Sequence, residues 1–122
     1  MININGIDFT KNVQESTYKV DQQPVYTKWT DANGTNHREI TRERVSGSFD
    51  LVFVEGMGHT YEEFLAAMKA ATVRGVLTAS FSVNNIAQDK TIDCFYMIAY
   101  DAPRKISEGR TFRKCKFTLE ER

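Results

Sequence analysis

Two histidines, His37 and His59, and two cysteines, Cys94 and Cys115, are the residues of this 122-residue chain best suited to chemistry. A two-histidine, one-carboxylate metal site would draw on His37 and His59 with Glu39, Glu62 or Glu63, and needs all three to converge. No local spacing brings them together: His37 lies in a polar stretch and His59 just ahead of a helical pattern. They read as two surface histidines. A cysteine–histidine nucleophile pair needs a partly exposed thiol in electropositive surroundings. Cys94 and Cys115 fall instead in strand-like apolar stretches, where a free thiol acts as a small buried hydrophobe. Two cysteines are also too few for a disulfide framework. Neither G-x-S-x-G, H-E-x-x-H, C-x-x-C nor a glycine-rich phosphate loop occurs. The expectation is a protein that is not an enzyme and uses no metal and no cofactor.

Charge narrows the partners. Sixteen basic residues balance sixteen acidic ones, for a formal net charge of zero. A nucleic-acid binder gains much of its affinity from counterion release and carries a basic excess. Here Arg38, Arg42, Arg44, Arg104, Lys105, Arg110, Arg113, Lys114 and Lys116 are interleaved with Glu39, Glu43 and Glu108. That pattern suits a solvated or subunit-facing surface better than a sequence-specific nucleic-acid face, since mixed charges set register and partner choice. Zero net charge weakens mutual repulsion and favours association. The N-terminus lacks the basic and apolar regions of a secretory signal, and no apolar run approaches the ~20 residues of a membrane span. A soluble protein made in a cytoplasm, with no membrane partner, is expected.

The elements follow from periodicity. Ile2, Ile4, Ile7 and Phe9 flank Asn5-Gly6, a short strand interrupted by a turn or bulge. Val13 to Val20 reads as β, broken by Asp21-Gln22-Gln23-Pro24 because proline cannot donate to a ladder. Val25, Thr27 and Trp29 then alternate with Tyr26, Lys28 and Thr30 up to Asp31-Ala32-Asn33-Gly34, a hairpin signal resting on positive φ at Asn-Gly. The returning arm, Thr35 to Arg44, is polar on both faces except for Ile40. A strand with no apolar face cannot lie over a core, so this arm should project.

From Val45 the pattern is that of a half-buried strand, with Val45, Phe49, Leu51 and Phe53 on one face. Thr60 and Glu63 form a capping box for one amphipathic helix, about residues 60–73. Tyr61, Phe64, Leu65, Met68 and Ala71 or Thr72 recur at helical spacing, and Gly75 is the expected terminator. Leu77 to Val83 alternates, Asn84-Asn85 turns the chain, and Thr91 to Tyr100 is apolar on both faces. Pro103 and Gly109 bound a charged loop holding Arg104, Lys105 and Glu108. The last strand turns Cys115, Phe117 and Leu119 inward. The expectation is one domain over residues 1–122: an antiparallel β-sandwich or partly closed barrel of about seven strands, one packed helix and a protruding polar hairpin.

The opening Ile2-Asn3-Ile4-Asn5-Gly6-Ile7-Asp8-Phe9 resembles the start of small tail proteins of bacteriophages and prophages. The resemblance continues through the Asp31–Gly34 turn, the basic stretch leading into Arg42–Phe53, the capped helix Thr60-Tyr61-Glu62-Glu63-Phe64-Leu65, and the charged end Phe117 to Arg122. The layout is similar to the tail-tube and distal-tail families. That resemblance implies a virion-tail structural subunit made in the bacterial host cytoplasm. Such subunits assemble as homo-oligomeric, six-fold stacked rings that meet other tail or baseplate proteins, with DNA passing through a lumen. The projecting hairpin would be the interface: Trp29, Asn33, Gly34, His37, Arg38, Glu39, Ile40, Arg42, Glu43 and Arg44. A different reading is a non-catalytic β-barrel that binds a small ligand in an apolar cavity beneath the helix.

Overall fold

A computed structural model describes residues 1–105 and 109–122. Glu108, expected in the charged loop, lies outside the described residues. The chain runs β1 (Ile2–Ile4), β2 (Ile7–Asp8), two short 3-10 turns (Thr10–Asn12, Glu15–Thr17), β3 (Lys19–Thr30) and β4 (Asn36–Val54). Helix α1 (Tyr61–Ala71), β5 (Thr72–Val73) and β6 (Val76–Val83) follow, then a 3-10 turn (Asn84–Ile86), β7 (Gln88–Tyr100), β8 (Arg104–Lys105) and β9 (Thr111–Glu121). The protein is mostly β, as expected, with one α-helix. Its strands form one antiparallel sheet ordered β2-β1-β6-β7-β9-β4-β3, with β5 on β6 and β8 on β9. The sheet is not closed, and the architecture belongs to the sandwich-like class.

The sheet curls until its last strand nears the β6–β7 turn. There the Asn85 side-chain amide does the work of a neighbouring strand. Its Oδ1 accepts from the Gln22 N–H at 2.9 Å and its Nδ2 donates to the Gln22 carbonyl at 2.6 Å. Inside the curl lie five fully buried phenylalanines, Phe9, Phe49, Phe64, Phe81 and Phe117, among Ile2, Ile4, Leu51, Leu77 and Leu119. Phe49 stacks on Phe117 at 5.1 Å, and Phe9 meets Phe64 edge-on at 5.6 Å. Each such ring contributes about 1.5–3 kcal/mol by leaving water.

Several expectations are corrected. Val13 makes only a single bridge to Leu51 and Glu15–Thr17 closes into a 3-10 turn, so the strand expected from Val13 starts at Lys19. β3 is unbroken through Pro24, opposite Glu43, since β3 is the last strand of the sheet and needs no donor on its open side. The charged loop contains a strand, with Arg104–Lys105 paired to Phe112 and Thr111. The helix ends at Ala71, and Gly75 is no helix terminator. Arg74 and Gly75 form the two-residue turn between β5 and β6, with φ of 53° and 80°. The buried helix face is Phe64, Ala67 and Met68, with Leu65 on its exposed side. In the Asp31–Gly34 turn only Gly34 takes positive φ; Asn33 does not.

Thr60 caps the helix as the sequence required, its side chain accepting from the Glu63 N–H. What fixes the helix against the sheet is Asn12, the single buried polar residue among those described. Its Nδ2 donates to the carbonyls of Val52 and His59, and its Oδ1 accepts from the His59 N–H at 3.1 Å. One side chain therefore ties the chain entering α1 to the end of β4. Asn12→Ala would strand three part-buried backbone groups. It should lower stability by about 2–3 kcal/mol in a urea titration.

Candidate functional site

All ten residues expected at an interface fall on one feature, a two-stranded arm. It is continuous with the body yet leaves it at a definite place. The β4–β9 ladder begins at Ser46, opposite Glu120, and the side-chain clasp on β3 ends at Gln22. Beyond those points β3 and β4 pair only with each other among the described residues, as far as Thr30 opposite Asn36. Gly47 makes the base possible: a Cβ there would stand 1.9 Å from the Lys19 carbonyl oxygen, so only glycine lets the two strands approach.

The arm is held by local contacts. At its tip the Asp31 N–H donates to the Thr35 carbonyl and the Gly34 N–H to the Asp31 carbonyl. Gly34, at φ 79°, supplies the left-handed residue that a three-residue hairpin loop needs. Asp31 Oδ1 also accepts from the Asn33 and Thr35 N–H groups, and its Oδ2 lies 2.8 Å from His37 Nε2. The His37 ring stacks on Trp29 at 5.3 Å. The His37 bond, followed by the backbone bonds, holds the Asp31 carboxyl below its ordinary value.

On the opposite face the Arg38 guanidinium sits 4.9 Å over the Tyr26 ring, beside Ile40, which is 59% exposed. Trp29 is 47% exposed. At the base Glu43 accepts from Gln22, Arg44 pairs with Glu120 at 2.8 Å, and Arg42 donates to the Arg122 carbonyl at 2.9 Å. Tyr26 and Asp31 belong to this cluster although sequence reasoning placed neither at the interface. Only Asp31 had a signal in the sequence, since aspartate at the first position of a turn bonds forward to the backbone; the pairing of Tyr26 with Ile40 follows from a register that a bulge shifts.

The other chemical candidates are dispersed. His59 Nδ1 lies 2.6 Å from Glu63 Oε2 across one helical turn, far along the chain from the His37–Asp31 pair. No group of three or more metal-binding side chains gathers among the described residues. Cys94 lies opposite Glu121 and Cys115 opposite Tyr100 on the β7–β9 ladder. Six residues of strand separate them, roughly 20 Å, against the ~5.5 Å a disulfide spans. Burial pushes the Cys94 thiol up to about 12 and Cys115 up to about 11. Both are therefore protonated at neutral pH, and neither should react with a thiol reagent until the protein unfolds.

Beside the helix, a cleft of about 180 Å³ is floored by Phe53, Val54 and Tyr61. It is smaller than the ~300–1,000 Å³ of typical ligand pockets. The helix face above the sheet is occupied by core side chains. No helix among the described residues is long and apolar enough to cross a membrane. Compared with known proteins, the chain matches no family model, no curated protein sequence and no solved structure.

Asp31 offers a test of the tip. Because its folded value is depressed, its bonds support the turn above the ordinary carboxylate range, and that support is lost as pH falls through the folded value. The emission of Trp29, the single tryptophan, should shift in acid below about pH 4. Asp31→Asn should abolish that step.

Proposed function

We propose that this protein is a structural subunit that self-associates through its arm into rings, as part of a phage or phage-derived tail. The observation that carries this reading is the arm itself. A two-stranded ribbon is marginally stable alone in water. This one exposes Tyr26, Trp29 and Ile40 and carries no strand on either outer edge among the described residues. Open edges of this kind are templates for pairing with another chain. Its charges alternate in sign, which suits register-setting contacts more than binding to a polyanion.

The arm also explains why the chain can spare it. Among the described residues, the core closes without any beyond Gln22 on β3 or before Val45 on β4. A stretch that contributes nothing to the core, yet keeps a defined tip and a braced base, is supported best by a role outside the monomer. The tail assignment rests further on the resemblance of the N-terminal, helix-cap and C-terminal stretches to tail subunits. Rings, the neighbouring tail or baseplate proteins, and residence in the virion come with that assignment.

Light scattering and negative-stain images of the purified chain should show rings or stacked rings at high concentration. Deleting Thr27–Glu39 and joining Tyr26 to Ile40 through an Asn-Gly turn should leave a folded monomer with unchanged core stability. A wild-type chain that stays monomeric under all conditions, or an arm-less chain that fails to fold, would overturn the reading.

A further inference from the structure

We infer that the arm of one copy docks into the cleft beside helix α1 of the next copy, a head-to-tail contact. This rests on the self-assembly reading and names the surface that receives the arm. Cross-strand partners share a face, so the ladder assigns the arm two distinct sides. Tyr26 with Ile40, and Lys28 with Arg38, lie on one; Thr27 with Glu39, and Trp29 with His37, lie on the other. Asp31 bonds to His37 and so joins the second side. The first side thus carries Tyr26 and Ile40, then the cations Lys28 and Arg38, with the neutral Thr30–Asn36 pair nearest the tip. Lys28 and Arg38 sit directly opposite each other with no acidic partner among the described residues, a like-charge pairing that disfavours the free arm. Such a pair calls for an acidic acceptor with an apolar floor.

The cleft has that chemistry. Phe53, Val54 and Tyr61 line it, and Glu55 and Glu62 stand exposed at its rim. Neither rim glutamate has a cationic partner among the described residues. The one basic side chain in the cleft, Arg113, is engaged over the Tyr61 ring at 4.1 Å. Two acids without a cationic partner and a half-buried apolar floor therefore complement Lys28, which has no acidic partner among the described residues, and Arg38, held over the Tyr26 ring at 4.9 Å beside Ile40.

The placement fits as well. Arm and cleft lie at opposite ends of the same strand: β4 begins at the arm tip with Asn36 and ends at the cleft with Val54. Ile40 and Val54 stand fourteen residues apart along β4, roughly 45 Å of strand, which sets the arm away from its own cleft. Donor and acceptor at two ends of one strand make a heterologous interface. Repeated, it closes into a ring when the rotation between copies closes.

The test uses three full-length or arm-less chains, each checked for native circular dichroism. A cleft variant, Glu55→Lys with Glu62→Lys, should fall to monomer by light scattering. Adding Lys28→Glu and Arg38→Glu to that same chain should restore assembly. Mixed with the arm-less chain, which keeps an intact cleft, the cleft variant should form a 1:1 complex, because only one arm and one acceptor then remain. The milder pair Glu55→Gln and Glu62→Gln should raise the concentration needed for assembly about tenfold, which covers the case of a lysine variant that misfolds.

Normal assembly by the cleft variants would overturn the cleft while leaving the arm's role intact. An arm that binds the arm-less chain equally well after its cleft is charge-reversed would place the acceptor elsewhere, such as the exposed Phe95 and Met97 of β7, and would also overturn it. A wild-type chain that never associates would remove this inference together with the reading on which it rests.

Discussion

Strand β4 is asked to live in two environments, and the rest of the molecule is arranged around that demand. From Ser46 onward it is flanked by β9 on one side and, on the other, by β3 as far as Ser48 and then by Asn12, Val13, Gln14 and Thr17, with Phe49, Leu51 and Phe53 in the core. Before Val45 the same strand has, among the described residues, only β3 beside it, and its sequence offers no apolar face to bury. A backbone hydrogen-bond donor or acceptor buried without a partner costs more than its bond contributes when made. A strand can therefore leave the sheet only where water or another chain takes over its edge. The Gln22 clasp by Asn85 and the end of the β9 ladder at Ser46 set that exit on both strands at nearly the same level.

The exit is reinforced rather than abrupt. Arg44 reaches Glu120, Arg42 reaches the Arg122 carbonyl, and the Val45 N–H donates to Glu121 Oε1. The C-terminal end of β9 thus braces the root of the arm with charge-assisted bonds, which are stronger than neutral ones. Exposed pairs of this kind add little to global stability. Their effect is directional: they hold the arm in line with the sheet, so its tip has a defined position relative to the far end of β4. At that far end, Asn12 sets the helix and its preceding loop with equal economy. Both ends of β4 are consequently tied to neighbouring parts of the chain, while the polar face between them tolerates solvent.

Much of this was legible in the sequence. Alternation at Val45 to Phe53 and Leu77 to Val83 marks half-buried strands, because a period of two places every second side chain on the same face. The Thr60–Glu63 box marks the helix start, because the first turn leaves N–H groups that a hydroxyl can satisfy. The polarity of Thr35 to Arg44 excluded it from any core. Local signals failed where a distant neighbour decided the outcome. Pro24 broke no strand because β3 is the last in the sheet, and strand order is invisible to a window of residues. Gly75 closed a hairpin rather than a helix because Thr72 and Val73 found Leu77 and Val76 to pair with.

By itself, then, the sequence determined the class of structure, the single capped helix, the buried thiols and the stretch that must leave the body. Each depends on the side chain's own chemistry and its spacing to near neighbours. Only the tertiary structure decided that Lys28 faces Arg38, that Asp31 anchors His37 beside Trp29, and that Glu55 and Glu62 share a rim with Phe53 and Tyr61. Those juxtapositions come from strand register and from the packing of α1 on the sheet. Both join residues far apart in the chain, and no periodicity encodes which pairs will meet.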